Sequence, residues 1–308
     1  MSRRGWLLFV AMGVIWGLPY LLIKIAVREV PAPMLVEMRT GGAALVLLPV
    51  ALYRGELRPV LARYKALVAL AVTEMAVPWL FLFDAERKLS SSLSGLLVAA
   101  VPLVGAILAR VTGSDRLDRR RLVGVLVGFG GVGALVGFDV GGSDALAAAS
   151  IAVVAVGYAV GPWIFSRYFS DLPALGVVAG ALTICTLLYA PAIPFSIPTR
   201  PLAPSVVGSV VGLTLVCTAL AFVLFFALIA EAGPVRSTVI TYVNPAVAVL
   251  LGVSVLGEHV GAATVLGFVL IVAGCVLATA RNAAEVPGAP APSLLVEADS
   301  AREAGGPI

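Results

Sequence analysis

GPVRSTVITYVNPAVAVLLGVSVLGE, residues 233–258, repeats the layout of an earlier stretch, residues 90–115, at constant spacing. Laying Pro245 over Pro102 sets an offset of 143 residues. The same offset puts Glu258 over Asp115, Gly267 over Gly124, Gly274 over Gly131 and the aromatic run 222–226 over 79–83. Upstream, Trp163 and Arg167 fall on Tyr20 and Lys24. Self-similarity at a fixed period constrains architecture more than any local motif, so the chain reads as two copies of one unit.

Composition places those copies in a membrane. Of the 308 residues, 60% are hydrophobic and 12% charged, with a mean hydropathy of +1.06. That leaves too little polar surface to cover a soluble globule. A hydrocarbon core of about 30 Å needs ~20 apolar residues per helix. Ten such blocks occur, at 6–26, 33–52, 66–83, 92–111, 121–138, 146–166, 174–194, 205–230, 235–256 and 261–280. The ~10-residue alternating segments of an outer-membrane barrel are absent. The fold class is therefore all-α integral membrane, with ten transmembrane helices.

Ten blocks divide into five and five. An odd number of spans per unit makes the second unit enter the membrane from the opposite side, the inverted repeat common among secondary transporters. The expected organisation is a first repeat over 1–144, an inverted second repeat over 145–281 and a disordered cytoplasmic tail over 282–308, rich in Ala, Pro, Glu and Gly. Arg3 and Arg4 precede the first block, and no small-residue cleavage pattern follows, so that block is read as a retained span. With both termini cytoplasmic, fifteen Lys and Arg fall on the inner side and five on the outer, leaving Arg39 inside the membrane. The pI near 9.1 then reflects topology and lipid headgroups, with no nucleic-acid partner required.

The buried polar residues carry the functional question. Glu37 and Arg39 lie within the second block, and Glu74 lies near the middle of the third. A charge at mid-membrane costs ~3 kcal/mol or more, so it faces protein or water and takes a partner. Under the repeat, Glu74 maps to Cys217 and Arg39 to Ala181 or Leu182, so both charges belong to one half only. Two readings stand: a structural ion pair between Arg39 and Glu74, or an asymmetric site for substrate or proton.

Aromatic and amide side chains form the second set. Trp16 and Tyr20 share one face of the first block, and Tyr158 and Trp163 recur in the sixth. Trp79 follows Pro78, and Tyr242 and Asn244 precede Pro245. Either they line a central cavity, where prolines free backbone groups for a polar solute, or they pack helix on helix. Pro19, Pro78, Pro102, Pro162 and Pro245 are expected to bend their helices, since proline lacks the N–H for the carbonyl four residues back.

Other chemistry finds little footing. Glycines of the fifth block at spacings of about four suit close helix packing, and no phosphate-binding loop is present. The three cysteines all lie inside apolar blocks and His259 is the single histidine, so no metal site, disulfide framework or cofactor is expected. No His cluster or paired midplane carboxylates suggest an enzyme. Asp115 and Glu258 just precede the fifth and tenth blocks, where capping of the helices that follow is the simplest role.

With these residues in view, the chain resembles the EamA family of the drug/metabolite transporter superfamily. The resemblance rests on IWGLPYLLIK (15–24), Arg39, LSSSLSGLLVAAVPLVGAILA (89–109) and NPAVAVLLGVSVLGE (244–258) followed by Gly267 and Gly274. It extends over nearly everything from Trp6 to Arg281. The family's Gly-Glu after the fourth span is here Ser114-Asp115. The resemblance implies a permease of the cytoplasmic membrane, exporting or exchanging small metabolites, amino acids or drugs by alternating access. Its partners would be a small-molecule substrate, membrane lipid and, if Glu74 titrates, protons. The alternative is a non-transporting membrane sensor or assembly component whose polar residues only pack.

Overall fold

A computed structural model describes residues 2–113, 118–139, 144–232 and 240–279. The expected tail over 282–308, Asp115 and residues 233–239 of the repeated stretch lie outside the described residues. Within them every regular element is helical, with no strand.

Ten apolar helices follow the ten blocks. They are α1 (Arg3–Ala26), α2 (Ala32–Tyr53), α3 (Tyr64–Glu86), α4 (Ser91–Val111), α5 (Arg119–Asp139), α6 (Ala145–Tyr168), α7 (Ala174–Ser196), α8 (Pro204–Ala232), α9 (Ile240–Leu256) and α10 (Ala262–Thr279). Nine are long and apolar enough to cross a membrane by length and composition, and α9 is shorter in its described part. Large apolar side chains such as Leu45, Leu126, Leu187, Leu250 and Leu266 stay exposed. In a chain of this composition they form the lipid-facing surface, because lipid tails are as apolar as leucine.

The principal helix pairings repeat when the halves are exchanged. Helix α1 packs on α9 as α6 packs on α4, α3 on α6 as α8 on α1, and α2 on α8 as α7 on α3, while α2 with α7 and α5 with α10 are their own images. The α5–α10 seam is made by glycine. A Cβ on Gly131 would stand 2.7 Å from the Gly267 carbonyl oxygen, and one on Gly124 would stand 2.8 Å from that of Gly274. Backbones this close exclude any side chain, the small-residue mode of association in lipid.

Four of these helices are interrupted, α7 by a single 3-10 turn at Ala190–Ala192. In α3 the segment Ala71–Ala76 is π-helical, and in α8 Gly212–Leu220 is; the offset of 143 residues carries the first into the second. Helix α4 breaks at Ala99 and Ala100, just before Pro102. Pro19, Pro162 and Pro245 sit inside continuous helices. Proline is therefore not the common cause of the wide turns, since α8 carries Ala221 where α3 carries Pro78.

The turn between α3 and α4 is held from both sides. Lys24 of α1 donates to the carbonyls of Glu86 and Leu89 at 2.7 and 2.6 Å, capping the C-terminal end of α3. Glu258 accepts from the backbone N–H groups of Ser91 and Ser92 at 2.7 and 2.9 Å and from the Ser92 hydroxyl at 2.6 Å. Its capping role was expected at the start of α10; the structure corrects the target to α4, in the other half. Burial by itself would raise the Glu258 pKa, but the hydrogen bonds from Ser92 and Ser91 outweigh it and hold the carboxyl below its usual range. Further ties join the halves, among them Arg63, which grips both oxygens of Asp171 at 2.6 and 2.7 Å, and Glu29, which accepts from the Ala203 N–H at 2.8 Å.

Candidate functional site

Arg39 is the centre of the buried polar region. It lies on α2 with 6% of its surface exposed. Its guanidinium carbon sits 3.8 Å from the Trp79 ring centroid and 5.9 Å from that of Phe83. Trp79 and Phe83 are four residues apart on α3 and stack at 25°, so together they present one aromatic face to the cation. A desolvated cation over an indole gains ~2 kcal/mol. The Arg39 Nε donates to the Thr218 hydroxyl at 2.9 Å, and Thr218 in turn donates to the Leu213 carbonyl within the π-helical part of α8. Arg39 thus joins the first half to the second through one hydrogen bond.

Glu74 is not its ion-pair partner. Among the described residues the salt bridges are Arg54 with Glu56 and Arg63 with Asp171, which corrects the expectation of an Arg39–Glu74 pair. The physical reason is the partner set: the Trp79 face and Thr218 already meet the guanidinium. Glu74 instead lies in the π-helical segment of α3 with its Oε2 buried and without a hydrogen-bond partner. Its carboxylate packs directly on Gly161 of α6. A Cβ there would fall 2.7 Å from the Glu74 Cδ, so glycine is what admits the acid.

Tyr20, Arg39, Trp79 and Tyr158 come together. Tyr20 is buried against Gly95 of α4, and its electrostatic neighbours are Tyr158, Glu86 and Arg39. Tyr158 has Arg39, Glu74, Trp79 and Glu86 around it. The group draws on α1, α2, α3 and α6, with Thr218 supplied by α8.

The remaining expected site residues serve helix seams. Trp16 packs on Phe225 at 4.7 Å and edge-on to Phe222 at 6.2 Å between ring centroids, joining α1 to α8. Asn244, with its amide nitrogen turned to the two carbonyls, donates to Gly13 at 3.1 Å and Ile240 at 2.9 Å, joining α9 to α1. The Tyr242 hydroxyl lies 3.4 Å from that of Thr279, and its ring shares a groove with Phe268 of α10. Trp163 is half-buried against the core.

Two residues were not singled out from the sequence. Glu86 is fully buried, and neither carboxylate oxygen has a hydrogen-bond partner. It lies three residues past the end assigned to the third block, in what reads as a polar loop. Thr218 carried no charge or spacing signal. The one available hint was its position beside Cys217, the repeat counterpart of Glu74.

Comparison with known proteins agrees with this architecture. The profile of the EamA-like transporter family matches the chain twice, over residues 3–137 and 145–280. An uncharacterized inner membrane transporter of Escherichia coli strain K12, YedA, is 31% identical over 283 residues, covering 87% of this chain and 88% of its own. An uncharacterized transporter of Archaeoglobus fulgidus is 22% identical over 88% of this chain and 97% of its own. A crystal structure of another protein superposes with a TM-score of 0.64 at 24% identity, covering 90% of this chain and 98% of the other. That likeness concerns the fold.

Proposed function

The chain belongs to the EamA-like transporter family, and we propose that this multi-pass membrane protein is a permease that moves small metabolites, amino acids or drugs by alternating access. The observation that carries the reading is the Arg39 site, built from α2 and α3 of one half and from Tyr158 and Thr218 of the other. A solute held there touches both halves, so a relative movement of the halves changes the side from which it is reached.

Residues 1–144 and 145–281 form the two inverted repeats of this proposal, with both termini cytoplasmic and 282–308 as a tail. Tyr20, Arg39, Trp79 and Tyr158 line the site. Trp16, Trp163, Tyr242 and Asn244 set the seams around it. The wide turns of α3 and α8, with Pro78 and Pro102 beside helix interruptions and Pro19, Pro162 and Pro245 inside continuous helices, supply the compliance for rocking. Glu74, whose buried Oε2 has no hydrogen-bond partner among the described residues, is the residue through which protons would couple.

Proteoliposomes of purified protein, loaded with pooled amino acids or cationic drugs and assayed with and without a pH gradient, test this reading. Carriage above protein-free vesicles is expected. Gradient-dependent carriage lost in a folded Glu74→Gln variant places Glu74 in the coupling step. Gradient-independent carriage that survives the substitution leaves a facilitator or exchanger. No carriage of any solute removes the transporter assignment.

A further inference from the structure

Away from the Arg39 region, a groove opens at the edge of the bundle, where α3 ends and α2 begins. Residues 31–33 form one wall and Leu80, Phe81, Asp84 and Arg87 the other, around a volume of about 270 Å³. Helix α2 packs on the last turns of α3, so the start of one helix stands beside the end of the other. With α2 starting at Ala32 and α3 stopping at Glu86, the groove lies where hydrocarbon gives way to headgroups.

The wall on α3 changes character along its length. Phe81, Asp84 and Arg87 follow at steps of three residues, which places them on one side of the helix. Phe81 is 37% exposed and belongs to the apolar surface that faces lipid. Asp84 and Arg87, nearer the helix end, are both exposed. Neither takes part in the ion pairs found among the described residues, Arg54 with Glu56 and Arg63 with Asp171. The groove therefore offers an apolar floor, an acceptor and a cation in one place. The start of α2, whose N-cap Pro31 makes no side-chain cap, adds the positive end of a long helix beside Arg87.

We propose that this groove binds one phospholipid with an ethanolamine headgroup, its phosphate on Arg87, its ammonium on Asp84 and an acyl chain along Leu80 and Phe81. The guanidinium fork matches phosphate oxygens. A carboxylate only accepts, so Asp84 requires N–H donors. An ethanolamine ammonium carries them and a quaternary choline nitrogen does not. A glycerol headgroup has no cation, and leaves the Asp84 carboxylate facing a phosphate of like charge. The short spacer of the ethanolamine headgroup suits two side chains one helical turn apart, a rise of about 4.5 Å. The lipid-facing Phe81 commits the groove to a lipid over a free phosphate ester. This inference requires only that the chain spans a membrane, and stands whatever solute it carries.

Native mass spectrometry of the purified full-length protein tests it. Dioleoyl phosphatidylethanolamine, phosphatidylcholine and phosphatidylglycerol are titrated in turn, and bound lipid is counted. Wild type is expected to bind the ethanolamine lipid at least roughly tenfold tighter than the other two. Asp84→Asn is expected to abolish the preference over the choline lipid, and Arg87→Gln to weaken all three. Lys88→Gln, beside Arg87 in sequence but outside the groove, should change nothing. The three substitutions alter exposed side chains, monodisperse elution verifies folding, and the wild-type headgroup order decides should a variant fail. Glycerophosphoethanolamine, the same headgroup without acyl chains, is expected to bind at least roughly tenfold more weakly than the lipid. Equal affinity of wild type for the three lipids, or a preference that survives Asp84→Asn, overturns the site. Chain-free headgroup bound as tightly as the lipid would overturn the lipid assignment and give the groove to a soluble phosphate ester.

Discussion

Arg39 lies face-on to Trp79, its guanidinium carbon 3.8 Å from the ring centroid, and this contact takes the place of the Arg39–Glu74 pair that the charge pattern suggests. A planar cation on an indole face, with Nε directed at Thr218, depends on shape as well as charge. Lysine preserves the charge but neither the stacking nor the fork of donors. Arg39→Lys is therefore expected to weaken solute affinity about tenfold or more, from a contact worth ~2 kcal/mol. Trp79→Phe should retain more activity than Trp79→Leu. Equal losses in both Trp79 variants, measured as uptake in proteoliposomes, would count against the cation–π contact.

Gly161 and Glu74 should behave as one unit. A methyl group on Gly161 would meet the Glu74 Cβ at 2.8 Å and its carboxylate more closely still. Gly161→Ala is expected to destabilise by roughly 1–3 kcal/mol through overpacking. Adding Glu74→Ala removes most of the obstructing atoms and should recover part of the loss. Thermal unfolding of the two single variants and the double variant measures the coupling, and simple additivity would show that the two sites do not touch.

The α5–α10 seam offers a contrast between glycines of the same helix region. A Cβ on Gly274 would press on the backbone of Gly128, whereas one on Gly133 meets nothing within 4 Å. Gly274→Ala is expected to cost roughly 1–3 kcal/mol, because backbone cannot move aside as a side chain can. Gly133→Ala should be neutral or slightly stabilising, since alanine is the better helix former. Melting temperatures in detergent distinguish the two.

Glu258 predicts a pH signature. Its carboxyl is held below the usual range by Ser92 and Ser91 against the opposing effect of burial. A depressed folded-state pKa means that its contribution is complete above the unfolded value of about 4.3 and disappears as pH falls through the folded value. Wild type should therefore exceed Glu258→Ala in thermal stability at pH 7, and the difference should shrink as pH drops below about 4. A constant difference between pH 7 and pH 3 would show that the anion is not what holds the start of α4.

The architecture is legible in the sequence because lipid makes it so. Backbone groups in a bilayer must bond within their own helix, so every apolar block of sufficient length becomes a span. The ten blocks reappear as α1 to α10, and glycines such as Gly124, Gly131, Gly267 and Gly274 stand where the repeat alignment puts them, at a seam. Family membership is legible for the same reason, since it rests on the pattern of spans and their punctuating residues.

Partnership was decided only in three dimensions. Sequence spacing relates residues along one helix, while Arg39 with Trp79 and Thr218, Glu74 with Gly161, and Glu258 with Ser91 and Ser92 all cross between helices. Hydropathy treats Glu86 as the polar end of a span; the fold buries it completely, because neighbouring helices close over the end of α3. Burial of a charge is a property of what surrounds it, and what surrounds Glu86 comes from parts of the chain far away in sequence.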